Sequence, residues 1–115
     1  MVIWLVSGLI SNHTIRVLDL SNNKITDIGM IKLCSYLIRT TCLTSLDLTN
    51  NLIKGEGGFA ISLVLKENTR LKLLKLGMNN IDDVSASKIL VSLAKNEYLE
   101  ELDLSANHLA DMVLI

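Results

Sequence analysis

Residues 43–53 read LTSLDLTNNLI, and this stretch decides the fold because its pattern recurs three more times along the chain. IRVLDLSNNKI begins at Ile15, LKLLKLGMNNI at Leu71 and LEELDLSANHL at Leu99, so that successive copies start 28 residues apart. Every copy has aliphatic residues and an asparagine in the spacing L-x-x-L-x-L-x-x-N-x-L. Self-similarity at a fixed period of this length indicates a protein built from stacked structural repeats.

The first part of each copy predicts a short strand that ends in a turn. Leu18 and Leu20 flank Asp19, and this alternation predicts a strand with the leucines turned inward and the aspartate outward. An asparagine follows each strand, and its amide can satisfy backbone groups that the turn leaves unpaired. We therefore assign a structural role at the turn to Asn23, Asn51, Asn79 and Asn107.

The second part of each copy predicts a helix. Apolar residues stand four apart there, which places them on one helix face: Leu33 with Leu37, Ile61 with Leu65, and Ile89 with Leu93. A strand, a crossover helix and a parallel strand form a right-handed unit. The sequence therefore predicts an α/β fold, a right-handed solenoid with parallel strands on the concave face and helices on the convex face.

The repeat register divides the chain into one array. Residues 1–14 form the helical half of a preceding repeat, 15–42, 43–70 and 71–98 are full repeats, and 99–115 are a partial repeat. The apolar start is interpreted as a core-facing helix, because it lacks the basic start and small-x-small cleavage site of a signal peptide. Neither end has a polar cap, and Val113-Leu114-Ile115 is apolar. We therefore expect further repeats or domains of a longer chain.

Composition excludes several classes of partner. Eleven Lys and Arg residues stand against 12 Asp and Glu residues, and aromatic residues make up 3% of the 115. Such a chain has no basic field for a nucleic-acid backbone or an anionic membrane, and few side chains for base stacking. Cys34 and Cys42 match neither a zinc motif nor a redox pair. We expect no nucleic acid and no membrane as partner, and reduced thiols in the cytoplasm.

No arrangement of residues typical of catalysis is found in the sequence. His13 and His108 occupy different register positions, and neither has another metal-ligating residue type four positions away. The stretch Gly55-Glu56-Gly57-Gly58 lacks the lysine of a phosphate-binding loop, and we interpret it as a helix entry that needs close packing or unusual dihedral angles. The sequence predicts no enzyme, no catalytic residue, no metal and no cofactor.

The outward positions of the strands predict the binding surface. Val17, Ser45, Leu73 and Glu101 form one column, and Asp19, Asp47, Lys75 and Asp103 form the next. Neighbouring parallel strands lie about 4.8 Å apart. Lys75 therefore falls between two aspartates and can neutralise that column.

Charge is distributed unevenly over this surface. Basic residues gather around the third strand (Lys66, Arg70, Lys72, Lys75) and acidic residues around the fourth (Glu97, Glu100, Glu101, Asp103). Leu73 and Met78 are predicted to face outward among them, and an apolar centre with a charged rim suits a protein partner. The candidate partner-binding residues on the concave face are Asp19, Asp47, Lys72, Leu73, Lys75, Met78, Glu101 and Asp103.

The 28-residue period with an outer helix resembles the ribonuclease-inhibitor-like subfamily of leucine-rich repeats over the entire chain. The resemblance implies a protein-binding scaffold. Residues 55–81 also resemble repeats of an axonemal branch of that family, which implies a structural link in the nexin bridge of the nexin–dynein regulatory complex and a place in the ciliary axoneme. The matching positions are Glu56, Gly57, Gly58, Ala60, Ile61, Asn68, Leu76, Gly77 and Asn79.

Two other functions of the same subfamily stay open, the ligand-sensing tail of a nucleotide-binding immune receptor and a small-GTPase activator. An activator often presents an arginine beside the nucleotide. Arg16, Arg39 and Arg70 fall at strand starts or helix ends, which disfavours that activity for these residues. A ribonuclease inhibitor is disfavoured as well, since the family resemblance implies many cysteines and inner-face tryptophans, whereas Trp4 falls on a helix.

Overall fold

A computed structural model describes residues 2–109. Within this range helices and strands alternate along the chain. The helices are α1 (Val2–Ile10), α2 (Asp27–Leu37), α3 (Gly55–Glu67) and α4 (Asp83–Lys95). The strands are β1 (Val17–Asp19), β2 (Ser45–Asp47), β3 (Leu73–Lys75) and β4 (Glu101–Asp103).

The strands form one parallel sheet in the order β1-β2-β3-β4. Leu18, Leu46, Leu74 and Leu102 are paired from strand to strand, which confirms the column of leucines that the repeat predicts. Each strand begins one residue before the first of its two inward leucines and ends one residue before the second. The hydrogen bonding nevertheless continues beyond β1, because the Leu20 amide donates to the Asp47 carbonyl at 2.8 Å.

The core lies between this sheet and a layer of helices in which each helix packs against the next. Leu33 and Ile89 are fully buried, and so is Leu46 from the sheet, because the helix residues four apart turn inward as predicted. These observations confirm the α/β solenoid with strands on the concave face and helices on the convex face. None of the helices described between residues 2 and 109 is long and apolar enough to cross a membrane.

Helix α1 occupies the position that the register assigns to the helical half of a preceding repeat. Val6 and Leu9 are buried against the core, whereas Trp4 is 82% exposed on the opposite side. Residues 110–115, including Val113-Leu114-Ile115, lie outside the described residues, so the expected partial repeat is described only as far as residue 109.

The asparagines at the strand ends join neighbouring repeats. Asn51 Oδ1 accepts hydrogen bonds from the backbone amides of Asn23 (3.0 Å) and Ile25 (2.9 Å). Its Nδ2 donates to the carbonyls of Leu20 in the preceding repeat and Leu48 in its own. Asn79 and Asn107 bond in the same way one and two repeats later. Each of the first three turns is therefore completed by a side chain of the next repeat.

A second column of polar side chains, which was not predicted from the sequence, joins the repeats at the helix ends. Asn68 Nδ2 donates to the Leu37 carbonyl at 2.6 Å, and Asn68 Oδ1 accepts from the amides of Arg70 and Leu71. Asn96 does the same one repeat later. The 28-residue spacing from Asn12 through Thr40, Asn68 and Asn96 could have revealed this column.

The glycines at the start of α3 are explained by close packing alone. A Cβ on Gly57 would lie 2.6 Å from Asp27 Oδ1 and 2.7 Å from Ile53 Cγ2, and one on Gly58 would lie 2.8 Å from Ser85 Cβ. The other expectation, unusual dihedral angles, is wrong for these residues, since no glycine in the described part of the chain has a positive φ.

Candidate protein-binding surface

The structure brings the predicted site residues together on the strand side. Leu73 pairs with Ser45 and Glu101, and Lys75 pairs with Asp47 and Asp103, as the two predicted columns require. All of these side chains are exposed or half-buried, because the alternate leucines of each strand take up the core side.

The aspartates of this face are bound to their own turns. In each case Oδ1 accepts a hydrogen bond of 2.9 Å from the backbone amide two residues later, from Ser21 to Asp19, Thr49 to Asp47 and Ser105 to Asp103. Ser21 Oγ adds a second bond to Asp19 at 2.6 Å. These carboxylates are therefore held in fixed positions along the face.

Hydrogen bonding also controls the ionisation of two of these carboxylates. The serine hydroxyl two residues later lowers the pKa of both Asp19 and Asp103, and the serine backbone amide lowers it further. The positive charge of Lys75 contributes least to the lower pKa. Lys75 thus contributes less to lowering these two pKa values than the hydrogen bonds of the turn do.

The third repeat departs from the others at two positions together. Lys75 replaces the aspartate and Gly77 replaces the hydroxyl residue that would bond to it. A Cβ on the buried Gly77 would lie 3.1 Å from Ser105 Oγ and 3.3 Å from Asp103 Oδ2. The third repeat therefore presents a cation in place of an aspartate that is bonded to its own turn.

A column of left-handed residues lies at the turns next to this face. Asn22, Asn50, Met78 and Ala106 have φ between 54° and 59°. Asparagine tolerates this conformation because its side chain can bond locally, and Asn50 Nδ2 donates to Asn22 Oδ1 at 2.6 Å. The Met78 side chain cannot form such a hydrogen bond, yet Met78 has the same conformation. Its side chain is 53% exposed. Because all four repeats have this conformation at the same position, it belongs to the turn of the repeat.

An ion pair lies beside Leu73. Lys72 Nζ is 3.9 Å from Glu100 Oε2, and both side chains are about two thirds exposed, at 65% and 69%. Lys72 and Lys75 thus precede and follow Leu73 along its own chain segment, and Glu100 and Glu101 lie opposite on the neighbouring strand segment. Glu100 belongs to the acidic group around the fourth strand and is not one of the candidate binding residues predicted from the sequence.

His108 and the two cysteines occupy structural settings. His108 Nε2 lies 3.0 Å from Asn80 Oδ1 at an exposed turn. Cys34 and Cys42 are free and buried, and burial raises the pKa of Cys34 to about 12, which keeps it a thiol. Between residues 2 and 109, no group of three or more His, Cys, Asp and Glu side chains could hold a metal ion.

Sequence comparison finds two models of leucine-rich repeats. A two-copy model matches residues 13–60, and a single-repeat model matches residues 67–90 and again 95–111. No curated protein matches the sequence significantly.

Solved structures with a similar fold include leiomodin-1 with its actin-binding site 2, at 24% identity and a TM-score of 0.80 over 93% of this chain and 61% of that one. The tropomodulin C-terminal domain of Caenorhabditis elegans matches at 13% identity and a TM-score of 0.79 over 90% of this chain and 63% of that one. The chain spans about three fifths of the length of both solved chains. At these identities the likeness concerns the fold alone.

Proposed function

The chain belongs to the leucine-rich repeat family, and we propose that it is a non-enzymatic module that binds another protein on its concave face. A rigid sheet held by two columns of hydrogen bonds suits this role, because side chains on a regular scaffold keep their positions when a partner binds. Function in such a scaffold depends on the particular side chains that the sheet presents.

The exposed, left-handed Met78 is the observation that carries the proposal. Its side chain is 53% exposed, from a backbone conformation that costs free energy, five residues after the half-buried Leu73. A methionine is flexible and polarizable, and such residues are common in surfaces that adapt to partners. Met78 and Leu73 would together supply the apolar centre of the interface.

The charges around this centre would orient the partner. Lys72 and Lys75 meet a partner's acidic side, and Glu101 and Asp103 meet a basic side. Such rim charges affect the association rate and the choice of partner more than the final affinity. We therefore expect association to slow as salt concentration rises.

Several partners deserve direct tests. The resemblance of residues 55–81 to axonemal repeats supports a structural role in the nexin–dynein regulatory complex, with the protein in the cytoplasm and there in the ciliary axoneme. Actin is a further candidate, since one protein of similar fold contains an actin-binding site. The sensing tail of an immune-type receptor and a small-GTPase activator are the alternatives, and accelerated GTP hydrolysis by a small GTPase would favour the latter.

The experiment measures cosedimentation of the purified chain with actin filaments and, separately, with axonemal doublet microtubules. Leu73→Ser combined with Met78→Ser should reduce binding at least tenfold. Ile28→Ser is the matched control, since Ile28 is 73% exposed on helix α2 away from the strand face. Equal binding by the double variant and the control would remove Leu73 and Met78 from the site, and thermal melting of each variant separates loss of binding from loss of fold.

A further inference from the structure

The convex side of the molecule exposes apolar side chains that the concave site does not use. Phe59 and Leu63 on α3 are 44% and 41% exposed, and Val84 and Val91 on α4 are 66% and 61% exposed. Ile31 on α2 is 45% exposed next to them. Contiguous exposed apolar groups of this kind indicate an interaction surface.

These side chains line two adjoining cavities along helices α3 and α4. The larger, of about 550 Å³, is lined by Phe59, Leu63 and Val84 together with Ile31. The smaller, of about 390 Å³, shares Phe59 and Leu63 and continues to Val91. Together they form one elongated depression, the α3–α4 groove, lined by Phe59, Leu63, Lys66, Val84, Lys88 and Val91.

Small residues make the groove possible. Gly55 and Ala60 line the larger cavity, and Ser62 and Ser92 line the smaller. Ser62 is buried, and its hydroxyl donates to the Phe59 carbonyl at 2.5 Å, so it needs no further partner from a ligand. The floor of the groove is thus apolar in character although serines contribute to it.

The charges of the groove are mainly basic. Lys66 and Lys88 line it, against the single carboxylate of Glu56. Lys88 Nζ lies 5.2 Å from the centroid of the Phe59 ring, within the range of a cation–π contact. This contact holds the Lys88 ammonium beside the apolar floor, where it can meet an anionic group.

We propose that the α3–α4 groove binds an amphipathic helix of another protein, with apolar residues toward the groove floor and acidic residues along its flanks. Apolar residues at helical spacing would fit the elongated floor, in the manner of other helix-in-groove interfaces. Carboxylates on either side of that apolar stripe would meet Lys66 and Lys88. The groove is on the opposite layer from the concave site, so the two surfaces can be occupied at once.

These lysines disfavour two other occupants of the groove, a second copy of the chain and an anionic membrane. Two copies of the chain packed groove to groove would bring Lys66 and Lys88 of both copies into one interface, and like charges repel. An anionic membrane surface attracts proteins that present clusters of four to eight basic residues, and the groove has two. An acidic helix satisfies both the apolar floor and the lysines.

The test uses a fluorescein-labelled synthetic helix of about 18 residues, the length that covers roughly 27 Å, with leucines on one face and glutamates flanking them. A second peptide has lysine in place of each glutamate. Fluorescence anisotropy should give a dissociation constant at least tenfold lower for the glutamate peptide than for the lysine peptide. Lys66→Glu combined with Lys88→Glu should reverse this preference.

A matched pair of variants controls for net charge. Lys32→Glu with Lys95→Glu changes the total charge by the same amount at exposed positions outside the groove, and it should retain the preference for the glutamate peptide. The proposal is overturned if the glutamate peptide binds no more tightly than the lysine peptide, or if the control pair reverses the preference too. The proposal would also be overturned if sedimentation showed a dimer that depends on Leu63. Tighter binding to phosphatidylserine vesicles than to the glutamate peptide would overturn it as well.

Discussion

Asp27 in one repeat accepts a hydrogen bond of 2.6 Å from the backbone amide of Lys54 in the next, and the same carboxylate oxygen lies only 2.6 Å from where a Cβ on Gly57 would be. The start of α3 is therefore fitted around a side chain of its neighbour. Glycine at residue 57 is required by this contact between repeats and not by the local backbone conformation.

Gly57→Ala should destabilise the protein by about 1–3 kcal/mol, because the new methyl group overlaps both Asp27 and Ile53. Gly8→Ala is the matched control, since a Cβ there meets nothing within 4 Å. We expect that control to be neutral or to stabilise α1 by up to about 1 kcal/mol. Urea unfolding measures both, and equal stability of the two variants would contradict this account of Gly57.

Met78→Asn should raise the free energy of unfolding by about 1 kcal/mol, because asparagine tolerates the left-handed backbone better than methionine does. The same change should weaken partner binding if Met78 is an apolar anchor. Ala106→Asn is the control, since Ala106 has the same φ of 54°. It should gain stability without any loss of binding. A loss of stability in both variants would show that this backbone conformation is not strained.

Asn79→Ala should cost about 2–3 kcal/mol, because it leaves the buried Ile53 amide without its acceptor and removes one of the two side-chain amides that donate to each of the Leu48 and Leu76 carbonyls. Asn23→Ala removes one side-chain bond, to the Ser21 carbonyl, at a half-buried position. That control should cost about 1 kcal/mol. Comparing their urea midpoints tests whether the asparagine column holds the repeats together.

Ser21→Ala should raise the pKa of Asp19 toward its usual value, because the serine hydroxyl is the largest cause of the lowered pKa. Lys75→Met should raise it less. Since the pKa is lower in the folded state, the stability linked to Asp19 is present above the usual aspartate pKa and is lost as pH falls through the folded value. NMR titration of the carboxyl carbon measures the pKa, and a larger effect of Lys75→Met would contradict the order of causes.

The register of the sheet could be predicted because four copies share one spacing, and a strand displaced by one residue would turn its leucines outward. The pairing of Leu18 through Leu102 follows from that spacing alone. The second polar column was missed because its members differ in type, with Thr40 in place of asparagine, although the period was visible.

Other features depend on geometry that residue types do not determine. A methionine at residue 78 does not indicate a left-handed backbone. The only indication in the sequence is that Asn22 and Asn50 hold the same position in the two preceding repeats. Phe59 and Leu63 are apolar helix residues like those of the core, so helical spacing alone did not show that they line a groove. The strand register places the members of the two outward columns side by side, and the binding role of the candidate residues stays a prediction.

The bonds that Asn51 makes with Ile25 and Leu20 limit how such a protein can change in length. Each of these turns is completed by a side chain that stands a fixed number of residues further along the chain. An insertion of a few residues between the turn and that side chain would therefore move the donor away from its acceptor. Addition or removal of a whole 28-residue unit brings an equivalent asparagine to the same place. Duplication and loss of entire units should therefore be the route by which this architecture evolves without unfolding.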